Sequence, residues 1–484
     1  MAYDAIIIGA GMSGLAAGIR LAMYDKKVLI LERHYVAGGL NSYYHKFKRP
    51  FDVGLHAMTN FVPKGTKRAP LTKILRQLRI PYDAFQLREQ HGSQIHFPSV
   101  QLDFDNDFET LRAEVRRAFP DQIDGFDALT KRVLAFDDTS LDAKPIPSRQ
   151  ILEEHISNPL LIEMIFCPLM YYGSPNENEM EFGQFCIMWK SVFSEGFARP
   201  EGGVRTIIDL LVKKFKELGG ELRYSQGVAK ILTKEGKAYG VELERERGLT
   251  KISTKPRPRS DATEVIEAIQ ILSTAGAPET WAMTEGLSAG EPKEAGALTF
   301  MESIACLNVE PRELGADKTI VFFNRSDERF DYSRAEDYAD LRSGVICATN
   351  NYAHETPLPE GILRVTSIAN WEKWRALEKP EPYTALKEKW FEGQLQVMED
   401  VIPGLAANTM RDRITVHDVF TPTTIWHFTR HERGAIYGAP EKLRSGITPI
   451  ENLYVGGTDQ GFLGIIGAML SGISIANAYF LRGA

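Results

Sequence analysis

Near the start of the chain stands the segment Asp4-Ala5-Ile6-Ile7-Ile8-Gly9-Ala10-Gly11-Met12-Ser13-Gly14. Its apolar run predicts a short buried strand, and the Ala-, Leu- and Ile-rich sequence that continues to Met23 predicts a helix. A second strand is predicted over residues 28–31, ending at the acidic Glu32. This order of strand, glycine turn, helix, strand and acid is the dinucleotide-binding fingerprint. The segment therefore predicts a nucleotide site rather than an ordinary strand–helix turn.

Each residue of the fingerprint has a separate physical role. Gly9 permits the tight turn, Gly11 lets the backbone approach a pyrophosphate, and Gly14 lets the helix pack closely on the strand. The N-terminus of the helix presents free N–H groups and a positive dipole end to the anion. Glu32 can accept hydrogen bonds from a ribose hydroxyl.

The loop after Glu32 is a second candidate for ligand contact. It contains Arg33, the pair Gly38-Gly39, Leu40 and Asn41. A glycine pair just past the second strand lets backbone amides close over a pyrophosphate or ribityl chain. An ordinary loop turn is the alternative, and the position beside the fingerprint favours the ligand-binding interpretation.

A third nucleotide-like segment lies near the other end of the chain. Residues 454–468 read as a strand, a glycine loop containing Gly457, and the start of a helix at Ile466-Gly467. A flavin needs such a helix N-terminus, because the reduced ring carries negative charge along one edge. Asp459 is placed to hold ribityl hydroxyls, or alternatively to cap a helix. Together with the fingerprint, this segment predicts FAD as the cofactor.

The length, composition and net charge of the chain are those of an ordinary globular enzyme. A chain of 484 residues exceeds the usual size of one hydrophobic core, so we expect two or three subdomains. Hydrophobic content of 43% and charged content of 25% argue against a disordered or fibrous protein. The net charge of -7 gives no support to nucleic-acid binding.

Cysteine and hydropathy patterns exclude several further classes. The four cysteines are far apart and form no CxxC pair, which favours buried free thiols over a metal site or a disulfide framework. No signal peptide and no apolar run long enough to span a membrane is visible. We therefore expect a cytoplasmic protein, or one attached to a membrane surface.

The order of segments predicts an α/β fold with a discontinuous, Rossmann-like FAD-binding domain. A helix ending at Gly219-Gly220, further strands and a hairpin follow Arg199 and belong with the fingerprint. An inserted substrate domain with a mixed sheet and helices would fill the remaining stretches. The predicted FAD-binding domain comprises residues 1–59, 199–285 and 440–484, and the predicted substrate domain comprises residues 60–198 and 286–439.

The chain resembles the bacterial phytoene desaturase, carotenoid isomerase and retinol saturase group of the amine-oxidase-like flavoprotein superfamily. The resemblance implies FAD, with Val228 backbone groups at the adenine, Ala275 and Gly276 at the cofactor, and Asp459 on the ribityl chain. It also implies a hydrophobic substrate tunnel that ends at the flavin ring. The motifs that carry it run nearly end to end: the fingerprint, residues 51–56, Pro200-Glu201-Gly202-Gly203, residues 273–278, residues 421–424, residues 434–438 and the C-terminal loop.

The chain departs from the desaturases at two places. Gly54-Leu55-His56 replaces the Gly-Pro-Thr-like segment usual there and is closer to the saturase branch. Residues 464–467 lack the proline common in the desaturase C-terminal motif. These departures argue against phytoene itself as the substrate.

Histidines are the remaining candidates for chemistry. His56 follows a strand expected near the flavin, so it is a candidate proton donor or positioning group, or else a hydrogen-bonded structural histidine. His427 and His431 have a spacing compatible with a metal, but no third ligand is evident, so no metal site is predicted.

Three stretches bear on access and partners. Residues 159–172 are apolar all round, which predicts a buried helix or the lining of a lipid tunnel. Within Lys64–Arg79, Pro70 can start a basic amphipathic helix, which predicts either attachment to an anionic membrane surface or a solvated basic face packed on the core. The basic, proline-containing stretch Arg245–Arg259 predicts a solvated hairpin tip, or less directly a contact surface.

These features favour a flavoenzyme that desaturates, saturates or isomerises a long apolar polyene or isoprenoid. Two alternatives remain open. An amine-oxidase-like enzyme for a polar substrate would need an aromatic cage, for which Trp426 and Tyr437 are the candidates. A non-catalytic prenyl-binding escort resembling Rab GDP-dissociation inhibitors would use the same fold without chemistry.

Overall fold

The computed structural model describes residues 2–137, 146–244, 246–247, 257–258, 264–288, 293–377 and 380–482. The strands are β1 Tyr3–Ile8, β2 Val28–Leu31, β3 Tyr43–Lys46, β4 Arg49–Asp52, β5 Leu87–Glu89, β6 Ser93–His96, β7 Gln101–Phe104, β8 Ala198–Pro200, β9 Glu221–Arg223, β10 Val228–Lys234, β11 Lys237–Leu243, β12 Glu246–Arg247, β13 Arg257–Pro258, β14 Val265–Ser273, β15 Thr299–Leu307, β16 Ile320–Asn324, β17 Ser343–Ala348, β18 Gly361–Ala369, β19 Ile414–Phe420 and β20 Leu453–Val455.

Helices connect and cover these strands. They are α1 Met12–Ala22, α2 Pro70–Leu78, α3 Phe108–Ala118, α4 Ile123–Ala135, α5 Ser148–His155, α6 Pro159–Gly173, α7 Phe182–Trp189, α8 Val204–Glu217, α9 Ala277–Met283, α10 Glu285–Ser288, α11 Trp371–Arg375, α12 Pro380–Val401, α13 Pro403–Ala407, α14 Met410–Arg413, α15 Pro422–Thr429 and α16 Gly464–Ile475.

The first sheet joins strands from distant parts of the chain. Its order is β10-β11-β14-β1-β2-β9, with β20 also paired to β14. Strands β1, β2, β9, β14 and β20 run parallel, so Ile8 lies beside both Leu31 and Ser273, and Ser273 lies beside Val455. The carboxyl ends of these strands therefore meet at one edge, where open α/β sheets bind their ligands.

Both faces of the first sheet are covered. Helices α1, α2, α8 and α16 bury their apolar sides against one face, together with alternate residues such as Ile7 and Ile30. The opposite residues, such as Ile6 and Leu29, pack against β10, β11 and α9. Burial on both faces explains why β1 and β2 read as continuous apolar runs instead of alternating ones.

The second sheet is mixed and has the order β19-β15-β18-β17-β16-β6-β7. Its pairs are antiparallel except for β16 with β6. Helices α3 to α7 cover one face, and helices α11 to α14 cover the other. Shorter two-stranded pairs are formed by β3 with β4, β5 with β8, and β12 with β13.

Two expectations concern the periphery. Most of the basic stretch Arg245–Arg259 lies outside the described residues, although its flanks β12 and β13 pair antiparallel. Within the described ranges, no helix combines the length and the apolar character that crossing a membrane requires.

Candidate functional site

The three fingerprint glycines have three different surroundings. Gly9 follows β1 with a φ of +99°, a conformation that favours glycine. A Cβ on Gly14 would lie 2.1 Å from the carbonyl oxygen of Gly9, so the close approach of α1 to the turn requires glycine there. A Cβ on Gly11 would meet nothing within 4 Å. Gly11 therefore faces open space at the N-terminus of α1, where a ligand could approach the backbone.

Glu32 closes this turn from the second strand. Its carboxylate accepts hydrogen bonds from the backbone N–H of Ala10 at 2.7 Å and of His34 at 2.8 Å. Burial raises the pKa of Glu32, while these N–H groups and the Arg33 charge oppose that rise. A carboxylate with two oxygens has further lone pairs, which can accept bonds from a ligand hydroxyl.

A cavity of about 510 Å³ opens beside the turn. Three polar atoms at this end, Arg33 Nη1, His34 Nε2 and Gln226 Oε1, are buried without a hydrogen-bond partner among the described residues. Burial also lowers the pKa of His34 to about 4, so the imidazole is neutral near pH 7. Unpaired buried polar groups are costly, and a dinucleotide's ribose, phosphate and base would satisfy them. The predicted residues that line this cavity are Gly9, Gly11, Glu32, Arg33, Gly39, Leu40, Val228 and Ala275.

A second cavity of about 240 Å³ continues from the first. Gly11, Gly39 and Leu40 line both, so the two spaces meet at the Gly38-Gly39 loop. The hydroxyl of Ser13, in the first turn of α1, is buried there without a partner among the described residues. The predicted residues that line the second cavity are Gly11, Gly38, Gly39, Leu40, Asn41, His56 and Gly457.

His56 belongs to a polar cluster that the sequence analysis missed. Its Nε2 lies 3.1 Å from Oε2 of Glu302 and 3.1 Å from Oγ1 of Thr366. Arg364 Nε donates to the other carboxylate oxygen of Glu302 at 2.5 Å. His56, Glu302 and Thr366 all line the second cavity. The cluster therefore places a histidine, held by a carboxylate, at the wall of a ligand-sized space.

Electrostatics keep Glu302 and Arg364 ionised. Burial alone would raise the pKa of Glu302, but the Arg364 and His56 charges and their hydrogen bonds bring it below the ordinary value. Burial likewise opposes the charge of Arg364, yet Glu302 raises the guanidinium's pKa. Each partner offsets the desolvation of the other, as a buried ion pair must.

Aromatic side chains form part of the remaining wall of the second cavity. Tyr171, Tyr172, Phe300 and Tyr437 line it, and burial raises the pKa of Tyr172. Helix α6 is present where residues 159–172 predict it, but nearly all of its side chains pack in the core, and only its last turn reaches the cavity. Of the two alternatives for α6, core packing accounts for most of its length.

Five predicted cofactor residues line neither cavity: Gly14, Gly276, Asp459, Ile466 and Gly467. Asp459 is buried, and its carboxylate accepts bonds from the backbone N–H of Ala277 at 2.5 Å and of Ala439 at 2.7 Å. Ala277 begins α9, so this carboxylate acts as a helix-capping acid here. A ribityl contact by Asp459 stays a prediction.

The alternative sites receive little support. His427 lies in α15 and His431 beyond its end, and no group of three metal-ligating side chains occurs among the described residues. All four cysteines are free and buried, as predicted. Tyr437 lines the second cavity, whereas Trp426 lines neither and stacks instead near Trp371 and Arg430. The candidate aromatic cage is therefore not assembled.

Helix α2 bears on the two alternatives for the stretch Lys64–Arg79. Its apolar residues Leu71, Ile74, Leu75 and Leu78 are buried in the core shared with α1 and α16. These side chains are not free to enter a bilayer, as the alternative of a solvated basic face packed on the core expects, and attachment to an anionic surface through the cations stays a prediction. The exposed cations of the stretch are Lys64, Lys67, Arg68, Lys73, Arg76 and Arg79.

Comparison with known proteins places this geometry in a family context. Residues 7–78 match the model of an NAD(P)-binding Rossmann-like domain. The chain is 24% identical to all-trans-retinol 13,14-reductase of Danio rerio, over 99% of this chain and 86% of that protein. It is 23% identical to chloroplastic prolycopene isomerase of Arabidopsis thaliana, over 98% and 82%. The predicted family resemblance is confirmed. The similarity to these two relatives therefore covers the residues of both sheets.

Solved structures confirm the predicted fold class. An oxidoreductase from Methanosarcina mazei aligns with a TM-score of 0.63 at 17% identity, over 98% of this chain and 99% of that one. Wild-type putrescine oxidase gives 0.57 at 14%, over 100% of both chains. Rab GDI from Plasmodium falciparum gives 0.50 at 13%, over 94% and 93%. At such identities the likeness shows the fold alone, which enzymes share with a Rab GDI.

Proposed function

We propose that this protein is an FAD-dependent oxidoreductase acting on carbon–carbon bonds of a long apolar polyene or isoprenoid, by desaturation, saturation or double-bond isomerisation. The observation that carries the proposal is the junction of the two cavities at Gly39 and Leu40. One cavity has the features of a dinucleotide site, and the other has several aromatic side chains in its wall beside the polar cluster of His56, Glu302 and Thr366. Full-length relatives named for retinol and prolycopene support an apolar polyene as the ligand of the second cavity.

The residues present fit FAD. Glu32 would hold the ribose, Arg33 and the backbone of Val228 would hold the adenine end, and the N-terminus of α1 with Gly11 would face the pyrophosphate. Gly38 to Asn41, Ala275 and Gly457 would border the part of the cofactor that enters the second cavity. When bound, the flavin ring supplies the capacity to accept or donate a hydride.

His56 is the proposed proton donor or acceptor for the substrate carbon next to the hydride position. Glu302 accepts from its Nε2 and so fixes the ring's orientation toward the cavity. Arg364 keeps the same carboxylate ionised, so that it can accept a hydrogen bond from His56. Glu302 and Arg364 are thus positioning residues, while His56 would touch the substrate. With substrate bound, the aromatic side chains would help to exclude water, which would protect a proton transfer to carbon from competition.

The escort alternative has one observation in its favour, the fold shared with Rab GDI. Against it stand the open approach to Gly11 and the unpaired polar atoms around Glu32, which a cofactor-free escort would not require. Purified protein that stays colourless after incubation with FAD would decide for the escort.

The proposal is tested by anaerobic incubation of the protein with all-trans-retinol, prolycopene and related polyenes, once with oxidised FAD as the hydride acceptor and once with chemically reduced FAD as the hydride donor. Flavin absorbance and product mass are followed together. A mass change of two hydrogens with a change in flavin absorbance indicates saturation or desaturation, and a new isomer at unchanged mass indicates isomerisation. We expect His56→Gln to keep flavin and lose turnover. Unaltered polyenes and an unaltered flavin spectrum across the panel would contradict the proposal.

A further inference from the structure

The hairpin of β3 and β4 ends in an unusual turn. Lys46 pairs with Arg49, which leaves Phe47 and Lys48 as a two-residue connection. Both have positive φ, 51° for Phe47 and 62° for Lys48. Such turns favour Asn-Gly, because most side chains are strained at positive φ. A bulky aromatic followed by a lysine is therefore a choice that hairpin stability does not explain.

Phe47 also gains little from packing in the folded protein. It is 52% exposed, one of the most exposed large apolar side chains among the described residues. Lys46 lies over its ring, with Nζ 5.0 Å from the ring centroid. Lys46 also pairs with Asp418, while no acidic group lies within 4 Å of Lys48 among the described residues. The tip thus presents an aromatic ring between two lysines, with one lysine charge unbalanced.

This hairpin forms part of the rim of the larger cavity. Tyr43, Tyr44 and Lys46 of β3 line that cavity. Phe428 of α15 lines it as well and is 36% exposed. The exposed Phe47 and Lys48 therefore lie at the end of a hairpin whose first strand borders this cavity.

We propose that the tip formed by Lys46, Phe47 and Lys48 docks the protein on an anionic lipid surface. Phe47 would enter the headgroup region, and the lysines would meet lipid phosphates and carboxylates. The inference builds on the proposed function, because an apolar substrate is stored in a bilayer and docking at this hairpin would hold the protein at that bilayer.

The tip differs from the basic stretch Lys64–Arg79 in what it can insert. The apolar side chains of α2 are buried in the core, so that stretch offers only charge. The tip offers charge and a free aromatic ring. Loss of the ring and of Lys48 should each weaken binding about 5- to 10-fold, as expected for one interfacial aromatic or one lysine.

The test compares two variants of the full chain in flotation with phosphatidylserine-containing vesicles, without substrate. Phe47→Asn/Lys48→Gly installs the residues that the turn prefers, so its melting temperature should equal or exceed that of wild type. We expect it to lose flotation, while Lys73→Glu/Arg76→Glu on α2 largely retains it. Wild type should float more weakly with vesicles of phosphatidylcholine alone.

The depth to which residue 47 enters the bilayer is measured separately with the variant Phe47→Trp. Its fluorescence should be quenched by brominated lipids beyond the quenching seen for wild type. The proposal is overturned if wild type does not float, if the turn-optimised variant floats like wild type, or if only the α2 variant loses flotation. Because the assay uses no polyene, a failed polyene assay with intact flotation would count against the proposed activity and not against docking.

Discussion

At the scale of single residues, Gly11 and Gly14 differ in the space around them, so their substitution should have different effects. We predict that Gly14→Ala destabilises the protein by at least about 1–3 kcal/mol, because its new Cβ would overpack against the carbonyl of Gly9. Gly11→Ala should leave the unfolding free energy of the flavin-free protein nearly unchanged, since open space surrounds that position. It should instead lower flavin affinity, because the methyl group would occupy the approach to the backbone.

Urea unfolding of the flavin-free variants and flavin retention on gel filtration separate these two effects. The glycines serve as controls for each other. If Gly11→Ala lost stability and kept flavin, Gly11 would not face the cofactor.

Glu302 should link stability to pH. Its folded pKa lies below the ordinary value, so its stabilising effect is complete above about pH 4.5 and is lost as pH falls through the folded pKa. Near pH 7, Glu302→Gln leaves Arg364 uncompensated and should cost about 3–5 kcal/mol. The difference from wild type should shrink as the solution is acidified.

Denaturant unfolding at several pH values measures that difference directly. Glu217→Gln is the matched control, because Glu217 is 62% exposed and should change stability by less than about 0.5 kcal/mol. A difference between wild type and Glu302→Gln that stays constant down to the acid limit would mean that folding does not change the pKa of Glu302, and a difference that grows on acidification would mean that the carboxyl is neutral in the folded protein.

The cluster around His56 shows why a site can escape sequence reasoning. His56, in the loop after β4, and Glu302, in β15, are 246 positions apart, and Thr366 and Arg364 come from β18. No local pattern links such residues, because the pairing of β15 with β18 brings them together. A signal was present all the same: Glu302 interrupts an apolar strand, and a buried carboxylate requires a cation.

At the scale of elements, local patterns predicted which segments are helices and strands but not what covers them. The spacing of Leu71, Ile74, Leu75 and Leu78 predicts the amphipathic helix α2, and the helix is present. Whether its apolar side meets a bilayer or the core depends on α1 and α16, which come from both ends of the chain. Periodicity measures the width of an apolar face and says nothing about its partner.

The β3–β4 hairpin is a converse case, because its local sequence does not predict the turn that the structure contains. Its turn, Phe47-Lys48, lacks the glycine or asparagine that marks a tight hairpin in a sequence. The turn is recognised only from the pairing of the two strands, which runs from Tyr43 with Asp52 to Lys46 with Arg49. Elements that violate local preference are the ones most expected at functional positions, and this turn borders the cavity that the proposed cofactor would fill.

At the scale of the whole molecule, the first sheet is assembled from three separated parts of the chain. β1 and β2 come from the first part, β9 to β11 and β14 from the middle, and β20 from the last. We propose that residues 1–59, 199–285 and 440–484 form one folding unit, with residues 60–198 and 286–439 as the second. In such an arrangement no segment of the first unit can reach its native core alone.

We therefore predict that a chain ending at residue 439 does not fold. Deletion of residues 440–484 removes β20 from the sheet and removes α16, whose Ile465, Ile466, Met469 and Ile473 are fully or almost fully buried against α1 and α2. Each such side chain contributes about 1.5–3 kcal/mol on burial, which together approaches the 5–15 kcal/mol that typically stabilises a protein. The shortened chain should lack a cooperative unfolding transition in calorimetry and should retain no flavin.

Co-expression with residues 440–484 as a separate segment should restore both, because the interface buries the same surface without a covalent link. A shortened chain that unfolds cooperatively and binds flavin by itself would refute the proposed folding unit.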